Sequence, residues 1–224
     1  MKIKGAIFDM DGTIVDSLMF WNYLWRRIGE KYMNDPEFKP SEDIDKELRT
    51  MVFVDGMAYF RERYGILEDG DEFFDFACSG IDDFYKNVVK VKKGAVELLQ
   101  YLKNNGIKLC LASGTEMKTI LVALEHHDLK QYFDFVMSCA DIGVGKDKPD
   151  IYINAMNALG FEKEEICVFE DSFVALETAK GVGFKTVGIF DKYNFEQGRL
   201  RKASDIYVGE GQSLAILNEK IERS

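Results

Sequence analysis

Apolar runs of strand length alternate with helically spaced apolar residues over the second half of the chain, after Gly94. Buried apolar strands that alternate with amphipathic helices are typical of a parallel sheet. The pattern therefore predicts an α/β fold with a Rossmann-like parallel sheet. The predicted strands span residues 3–8, 107–112, 135–138, 166–169, 186–189 and 206–208, and the predicted helices span 95–104, 116–126, 151–159, 173–180 and 214–221.

Helical spacing also dominates the segment that follows the first strand. Leu18, Trp21, Trp25, Ile28 and Tyr32 recur on one stripe, and no convincing strand follows before about residue 90. We therefore expect an all-helical domain at 17–90, inserted into an α/β core domain formed by 1–16 and 91–224.

Composition and charge exclude several classes of protein. The 224 residues carry 29 Lys and Arg against 39 Asp and Glu, a net charge of −10, without a basic block. Nucleic-acid binding needs clustered Lys and Arg, so no nucleic-acid partner is expected. The apolar runs are too short for a membrane span, and the first one meets Asp9 and Asp11, which a secretion leader would not tolerate. Four scattered cysteines form no zinc set. We expect a cytoplasmic protein without a membrane partner.

Polar side chains follow four of the predicted strands. Ligands of open parallel sheets bind at the carboxyl ends of the strands, so these side chains should meet at one edge. Carboxylates, hydroxyls and a lysine suit a magnesium-bound phosphoryl group. Each segment alone also fits a turn or a helix N-cap, but their joint order is improbable by chance. The segments are Asp9-Met10-Asp11-Gly12-Thr13, Ser113-Gly114-Thr115, Lys146-Asp147-Lys148-Pro149-Asp150 and Glu170-Asp171-Ser172.

Together these segments resemble the four ordered motifs of the haloacid dehalogenase superfamily. The helical insert is similar to the cap of its β-phosphoglucomutase-like branch, and the resemblance implies the fold of that superfamily with an inserted helical cap. The third motif departs from the usual Lys-Pro-x-Pro-Asp of the branch at Asp147. Alignment on Pro149 and Asp150 makes Lys146 the active lysine, with Lys148 as the second candidate.

The resemblance also implies a role for each motif residue. The Asp9 carboxylate would attack phosphorus and become an aspartyl phosphate. Asp11 would protonate the leaving oxygen and later accept a proton from water. Phosphate binding is implied for Thr13, Ser113, Gly114 and Lys146, and Mg²⁺ binding for the Asp9 side chain, the Asp11 carbonyl, Asp171 and Glu170.

These roles imply a Mg²⁺-dependent phosphatase that acts on a small phosphorylated metabolite. A sugar phosphomutase is the first alternative, although mutases of the branch usually have a histidine near the position of Trp21 and a basic residue near that of Phe53. The alternatives of another class are a non-enzymatic phospho-aspartate switch and a module that only binds its ligand.

Overall fold

The computed structural model describes residues 1–48, 51 and 53–223. The chain divides into two compact units, one formed by Met1–Leu18 with Val89–Ser224 and the other by Met19–Val88. Residues 49, 50 and 52 of the predicted 17–90 insert lie outside the described residues.

The unit Met19–Val88 is helical, and its described residues include no strand. Its core contains the buried Trp25, whose ring stacks on Phe60 with 4.9 Å between the ring centroids. The Trp25 Nε1–H donates to Asp45 Oδ1 over 2.6 Å, so the buried indole keeps a polar partner. The helices are α1 (Phe20–Ile28), α2 (Glu42–Leu48), α3 (Phe53–Arg63) and α4 (Gly70–Asp83), with π-helical turns at Gly29–Met33 after α1 and Phe84–Val88 after α4.

The other unit is built on a six-stranded sheet in which every pairing is parallel. The spatial order of the six strands is β4-β3-β2-β5-β6-β7. The order reverses between β2 and β5, and such a switch point is where open α/β sheets bind ligands. The strands in chain order are β1 (Lys2–Ile3), β2 (Gly5–Phe8), β3 (Lys108–Ser113), β4 (Phe135–Ser138), β5 (Ile166–Glu170), β6 (Lys185–Ile189), β7 (Ile206–Val208) and β8 (Glu222–Arg223).

Helices surround this sheet, which confirms the predicted α/β class. Every residue of β2 and β5 is buried, as expected for the two central strands of a covered parallel sheet. Among the described residues, no helix is both long and apolar enough to cross a lipid bilayer. The helices of this unit are α5 (Ala95–Asn104), α6 (Met117–His126), α7 (Cys139–Ile142), α8 (Asp150–Leu159), α9 (Phe173–Gly181) and α10 (Gln197–Ala203).

Several predicted elements differ from the structure, most of them by one residue at an end. The strand predicted at 3–8 is two strands, β1 and β2, separated at Lys4. β1 pairs with β8, whereas the Lys4 N–H donates to Glu165 O over 2.7 Å, next to the start of β5. The helix predicted at 214–221 is a 3₁₀ helix over Leu214–Glu219. β5 extends one residue further than predicted, to Glu170, which pairs with Gly188.

Candidate active site

Asp9 directly follows β2, and its N–H donates to Phe169 O over 3.0 Å, which continues the pairing of β2 with β5. The chain then turns tightly, since the N–H groups of Ile14 and Val15 both donate to Met10 O. Gly12 has a φ of +76°, and a Cβ at this position would lie 2.5 Å from Asp171 Oδ2. The glycine therefore permits both the turn and its close approach to Asp171.

Three buried carboxylates meet at the switch point between β2 and β5. Asp9, Glu170 and Asp171 each place a carboxylate oxygen within 4.8 Å of the others. Burial raises the pKa of Asp9 well above its ordinary value, and it raises the pKa of Asp171 to about 8, with the charge of Glu170 adding to both shifts. A buried cluster of like charges is unfavourable unless positive charge lies beside it.

Lys146 supplies positive charge to this cluster. Its Nζ donates to Asp9 Oδ1 and to Glu170 Oε1, the latter over 2.5 Å, and its side chain is only 13% exposed. Burial lowers the pKa of Lys146, but the two carboxylates outweigh burial and hold the pKa above its ordinary value. The Lys148 side chain is 64% exposed and its Nζ lies 4.0 Å from Asp147. The structure thus brings Lys146 into the cluster and leaves Lys148 at the surface.

The partly exposed Asp11 side chain is surrounded by hydroxyl groups. Ser17 Oγ donates to Oδ1 over 2.6 Å, and Oδ2 accepts from Thr115 Oγ1 over 2.6 Å and from Ser113 Oγ over 3.3 Å. A hydroxyl both donates and accepts hydrogen bonds, so these partners suit the ionised and the protonated carboxyl group. The arrangement can hold Asp11 in one orientation while its proton is exchanged.

The remaining predicted site residues lie around the same strand ends. Ser113 is the last residue of β3 and is buried, and its Oγ accepts the Thr115 N–H over 3.1 Å. Gly114 is exposed beside it. Thr13 is buried and its hydroxyl donates to Asp171 Oδ1 over 3.4 Å.

Four further side chains reach this group of residues and were absent from the predicted set, and one of them is that of Ser17, which contacts Asp11. Thr115 contacts Asp11, and its place two residues after Ser113 was a usable signal. The Tyr152 hydroxyl donates to Glu170 Oε1 over 3.1 Å, and Asn194 donates to Asp171. No sequence motif identifies Tyr152 or Asn194 as a site residue. Their contacts depend on the paths of α8 and of the loop after β6.

A family model for haloacid dehalogenase-like hydrolases matches residues 3–183 of the chain. The chain belongs to this family. The predicted membership is therefore confirmed, and the haloacid dehalogenase-like protein is an enzyme rather than a switch or a module that only binds its ligand.

Individual relatives are similar to the chain over most of its length. It is 27% identical to the phosphorylated carbohydrates phosphatase of Thermotoga maritima, over 97% of this chain and 99% of the relative. It is 22% identical to the fructose-1-phosphate phosphatase YqaB of Escherichia coli, over 84% of this chain and 97% of the relative.

Solved structures agree with the fold. A Thermotoga maritima structure described as a candidate β-phosphoglucomutase superposes with a TM-score of 0.82 at 27% identity and covers 98% of this chain and 99% of its own. The structure of CbbY from Rhodobacter sphaeroides in complex with phosphate gives a TM-score of 0.73 at 19% identity, with 96% of each chain covered. The expected similarity to the β-phosphoglucomutase-like branch is thus confirmed.

Proposed function

We propose that the protein is a Mg²⁺-dependent phosphatase that hydrolyses a small phosphorylated metabolite through an aspartyl phosphate on Asp9. The observation that carries the proposal is the contact of Lys146 with Asp9 inside a buried group of three carboxylates. The relatives named as a phosphorylated carbohydrates phosphatase and a fructose-1-phosphate phosphatase support a phosphorylated sugar or a similar metabolite as substrate.

Asp9 is the proposed nucleophile. One of its carboxylate oxygens forms a bond to phosphorus while the bond from phosphorus to the ester oxygen breaks. Two unit charges about 4 Å apart repel by about 4 kcal/mol at an effective dielectric constant near 20, so an anion that attacks a phosphate needs positive charge beside it. Lys146 provides one such charge, and Glu170 holds the Lys146 ammonium group in place.

The residues around Asp9 fit a magnesium ion. Asp9, Glu170 and Asp171 offer buried carboxylate oxygens, which are the hard ligands that Mg²⁺ prefers. When all three groups are ionised, Lys146 offsets only one of their three negative charges. We propose that Asp9 and Asp171 hold the ion with the Asp11 carbonyl, and that Glu170 binds it directly or through water. When bound, Mg²⁺ supplies the remaining positive charge for the phosphoryl oxygens.

Asp11 is the proposed general acid and base. The protonated carboxyl group gives its proton to the leaving oxygen of the metabolite. Water then attacks the phosphorus of the aspartyl phosphate, the bond from phosphorus to Asp9 breaks, and the ionised Asp11 accepts the proton of the water. The hydrogen bonds from Ser17 and Thr115 keep the Asp11 carboxyl group oriented through both steps.

The phosphoryl oxygens need donors as well as cations. We propose that the Ser113 hydroxyl and the backbone N–H of the exposed Gly114 bind them, together with Lys146. Phosphate binding by Thr13 stays a prediction, and in this structure the Thr13 hydroxyl donates to Asp171.

The test uses the purified protein and an aryl phosphate. Phosphate release should require Mg²⁺ and stop when EDTA is added, and Asp9→Asn should abolish it. Asp11→Asn should slow poor leaving groups more than good ones, because only poor leaving groups need the proton. Activity in Asp9→Asn would contradict the role of Asp9, and an equal effect on all leaving groups would contradict the role of Asp11. A panel of phosphorylated metabolites then identifies the substrate.

A sugar phosphomutase is the second candidate, and the similarity to the candidate β-phosphoglucomutase structure favours it. A mutase returns the phosphoryl group to sugar instead of water. Incubation with a sugar phosphate and its bisphosphate separates the two activities. Recovery of an isomeric sugar phosphate without free phosphate would favour the mutase, and release of free phosphate would favour the phosphatase.

A further inference from the structure

The loop that follows β6 reaches the acidic cluster through the side-chain amide of Asn194. Asn194 Nδ2 donates to the backbone oxygen of Asp171 over 2.7 Å and lies 3.3 Å from its carboxylate oxygen Oδ2. The other carboxylate oxygen, Oδ1, accepts from the Thr13 hydroxyl over 3.4 Å. The Asp171 carboxylate is thus bonded on both oxygens by side chains from two different loops.

The loop itself determines which way the Asn194 amide points. Asn194 Oδ1 accepts the Glu196 N–H over 3.2 Å, which leaves the NH₂ group directed at Asp171. The Asn194 N–H donates to Asp191 O, and Gln197 Nε2 donates to the same oxygen over 2.9 Å. Hydrogen bonds within the loop therefore fix the orientation of the Asn194 amide without a bound ion or substrate.

We propose that Asn194 is a positioning residue for Asp171 in its role as a magnesium ligand, an inference that rests on the proposed function. A carboxylate oxygen has two lone pairs, so an oxygen that accepts from Asn194 keeps one for a cation. The contact to the backbone oxygen of Asp171 fixes the main chain at the same point. Asn194 therefore restricts the rotation of the carboxylate without occupying its capacity to bind an ion.

The expected size of the effect follows from the behaviour of residues that orient metal ligands. Loss of such a partner typically weakens metal affinity by about 10–100-fold. The ligand set itself stays complete in an Asn194 variant, so Mg²⁺ should still bind, only more weakly. A higher Mg²⁺ concentration should accordingly restore the turnover that an Asn194 variant loses at low Mg²⁺.

Isothermal titration of the whole protein with Mg²⁺, without substrate, tests this inference. Asn194→Ala removes the amide, and Asn194→Leu removes it while keeping a side chain of similar size. Both variants should bind Mg²⁺ about 10–100-fold more weakly than the unsubstituted protein. Phe195→Ala is the control, because this neighbouring side chain is 81% exposed, and it should leave the affinity unchanged. Thermal unfolding in EDTA identifies any variant that fails to fold.

The outcomes separate this inference from the proposed function. If the unsubstituted protein binds no Mg²⁺, the proposed metal site is wrong. If it binds Mg²⁺ and a folded Asn194 variant binds the ion within twofold of it, Asn194 does not position Asp171. Equal weakening by Phe195→Ala would attribute the effect to the loop as a whole and would also overturn the inference.

Discussion

The Tyr152 hydroxyl donates a hydrogen bond over 3.1 Å to Glu170 Oε1, the same oxygen that lies 2.5 Å from Lys146 Nζ. Tyr152 belongs to α8 and Glu170 ends β5, so this contact joins a helix to the central sheet beside the acidic cluster. Burial and the charge of Glu170 hold the pKa of Tyr152 well above its ordinary value, which keeps the hydroxyl protonated as a donor. One helix therefore helps to fix the carboxylate that orients the site lysine.

Tyr152→Phe should lower the free energy of unfolding by about 1.5–3 kcal/mol, because it removes a buried hydrogen bond to a charged acceptor. Urea unfolding measures the change. Tyr101→Phe is the matched control, since the Tyr101 hydroxyl donates over 3.0 Å to the neutral carbonyl of Ile221; its cost should be about 0.5–1.5 kcal/mol. A Tyr152→Phe cost no larger than that of the control would argue that the Glu170 contact contributes little.

Lys146→Met should reduce kcat for an aryl phosphate by at least about 10²-fold, the usual cost of losing one group that stabilises developing charge. Lys148→Met should leave kcat near that of the unsubstituted protein, because the Lys148 side chain is 64% exposed. Steady-state kinetics at saturating Mg²⁺ compares the two. Equal losses in both variants would show that the burial of Lys146 does not identify the active lysine.

Gly12→Ala should disturb both folding and metal binding. A Cβ at Gly12 would lie 2.5 Å from Asp171 Oδ2, whereas Gly160 has the same φ of +76° and no atom within 4 Å of its added Cβ. Gly160→Ala should therefore cost only the backbone strain, about 1–2 kcal/mol. Gly12→Ala should cost more and also weaken Mg²⁺ binding in a titration. If the two variants unfold alike and bind Mg²⁺ alike, the approach of Gly12 to Asp171 is unimportant.

Lys92 is the partner of a buried carboxylate outside the acidic cluster. Its Nζ lies 2.8 Å from Asp191 Oδ2, and the side chains of Lys92 and Asp191 are 12% and 3% exposed. Lys92→Met should lower the free energy of unfolding by about 3–5 kcal/mol, because it leaves Asp191 buried without this partner. Lys180→Met, which breaks the more exposed pair with Asp205, should cost about 0–1 kcal/mol. Similar costs in urea unfolding would contradict this ranking.

The pair of Lys180 and Asp205 also makes a pH prediction. Burial raises the pKa of Asp205, but the hydrogen bonds from Lys180 and from Thr186 outweigh it and hold the pKa below its ordinary value. The stabilisation is therefore present above the unfolded pKa of about 3.9 and is lost as pH falls through the lower pKa of the folded state. The protein should be more stable than Asp205→Asn by about 0.5–1 kcal/mol near neutral pH. Urea unfolding from pH 7 to pH 3 should show the difference shrinking, and a constant difference would refute the assignment.

The fold was predictable where local pattern and packing agree. Strands β3, β4 and β6 lie within one residue of their predicted bounds, because each is an apolar run between polar turns. Prediction failed at Lys4, where the division into two strands depends on the distant partner Glu165. Periodicity also does not show that α1 passes into a π-helical turn over Gly29–Met33.

The candidate site was also predictable where local sequence decides the structure, and not where a distant contact decides it. Asp9 and the segment 146–150 could be placed together because parallel strands bring their carboxyl ends to one edge of the sheet. The choice of Lys146 within that segment came from the resemblance to the family motif. Asn194 and Tyr152 escaped notice, since each reaches the cluster through one side chain on a segment whose path no local pattern determines. Strand ends are encoded locally, whereas the contacts that orient their side chains are tertiary.

The parallel register of β2 and β5 aligns Phe8 with Phe169, and their rings stack with 4.0 Å between the ring centroids. Each strand contributes its aromatic ring immediately before its first acidic residue, Asp9 or Glu170. The two acids thus stand directly beside a packed aromatic pair, on strands whose backbone pairing continues to Asp9. Enzyme engineering that aims at a new substrate should conserve this aromatic pair, because repacking it would shift the reactive groups even when every one of them is kept.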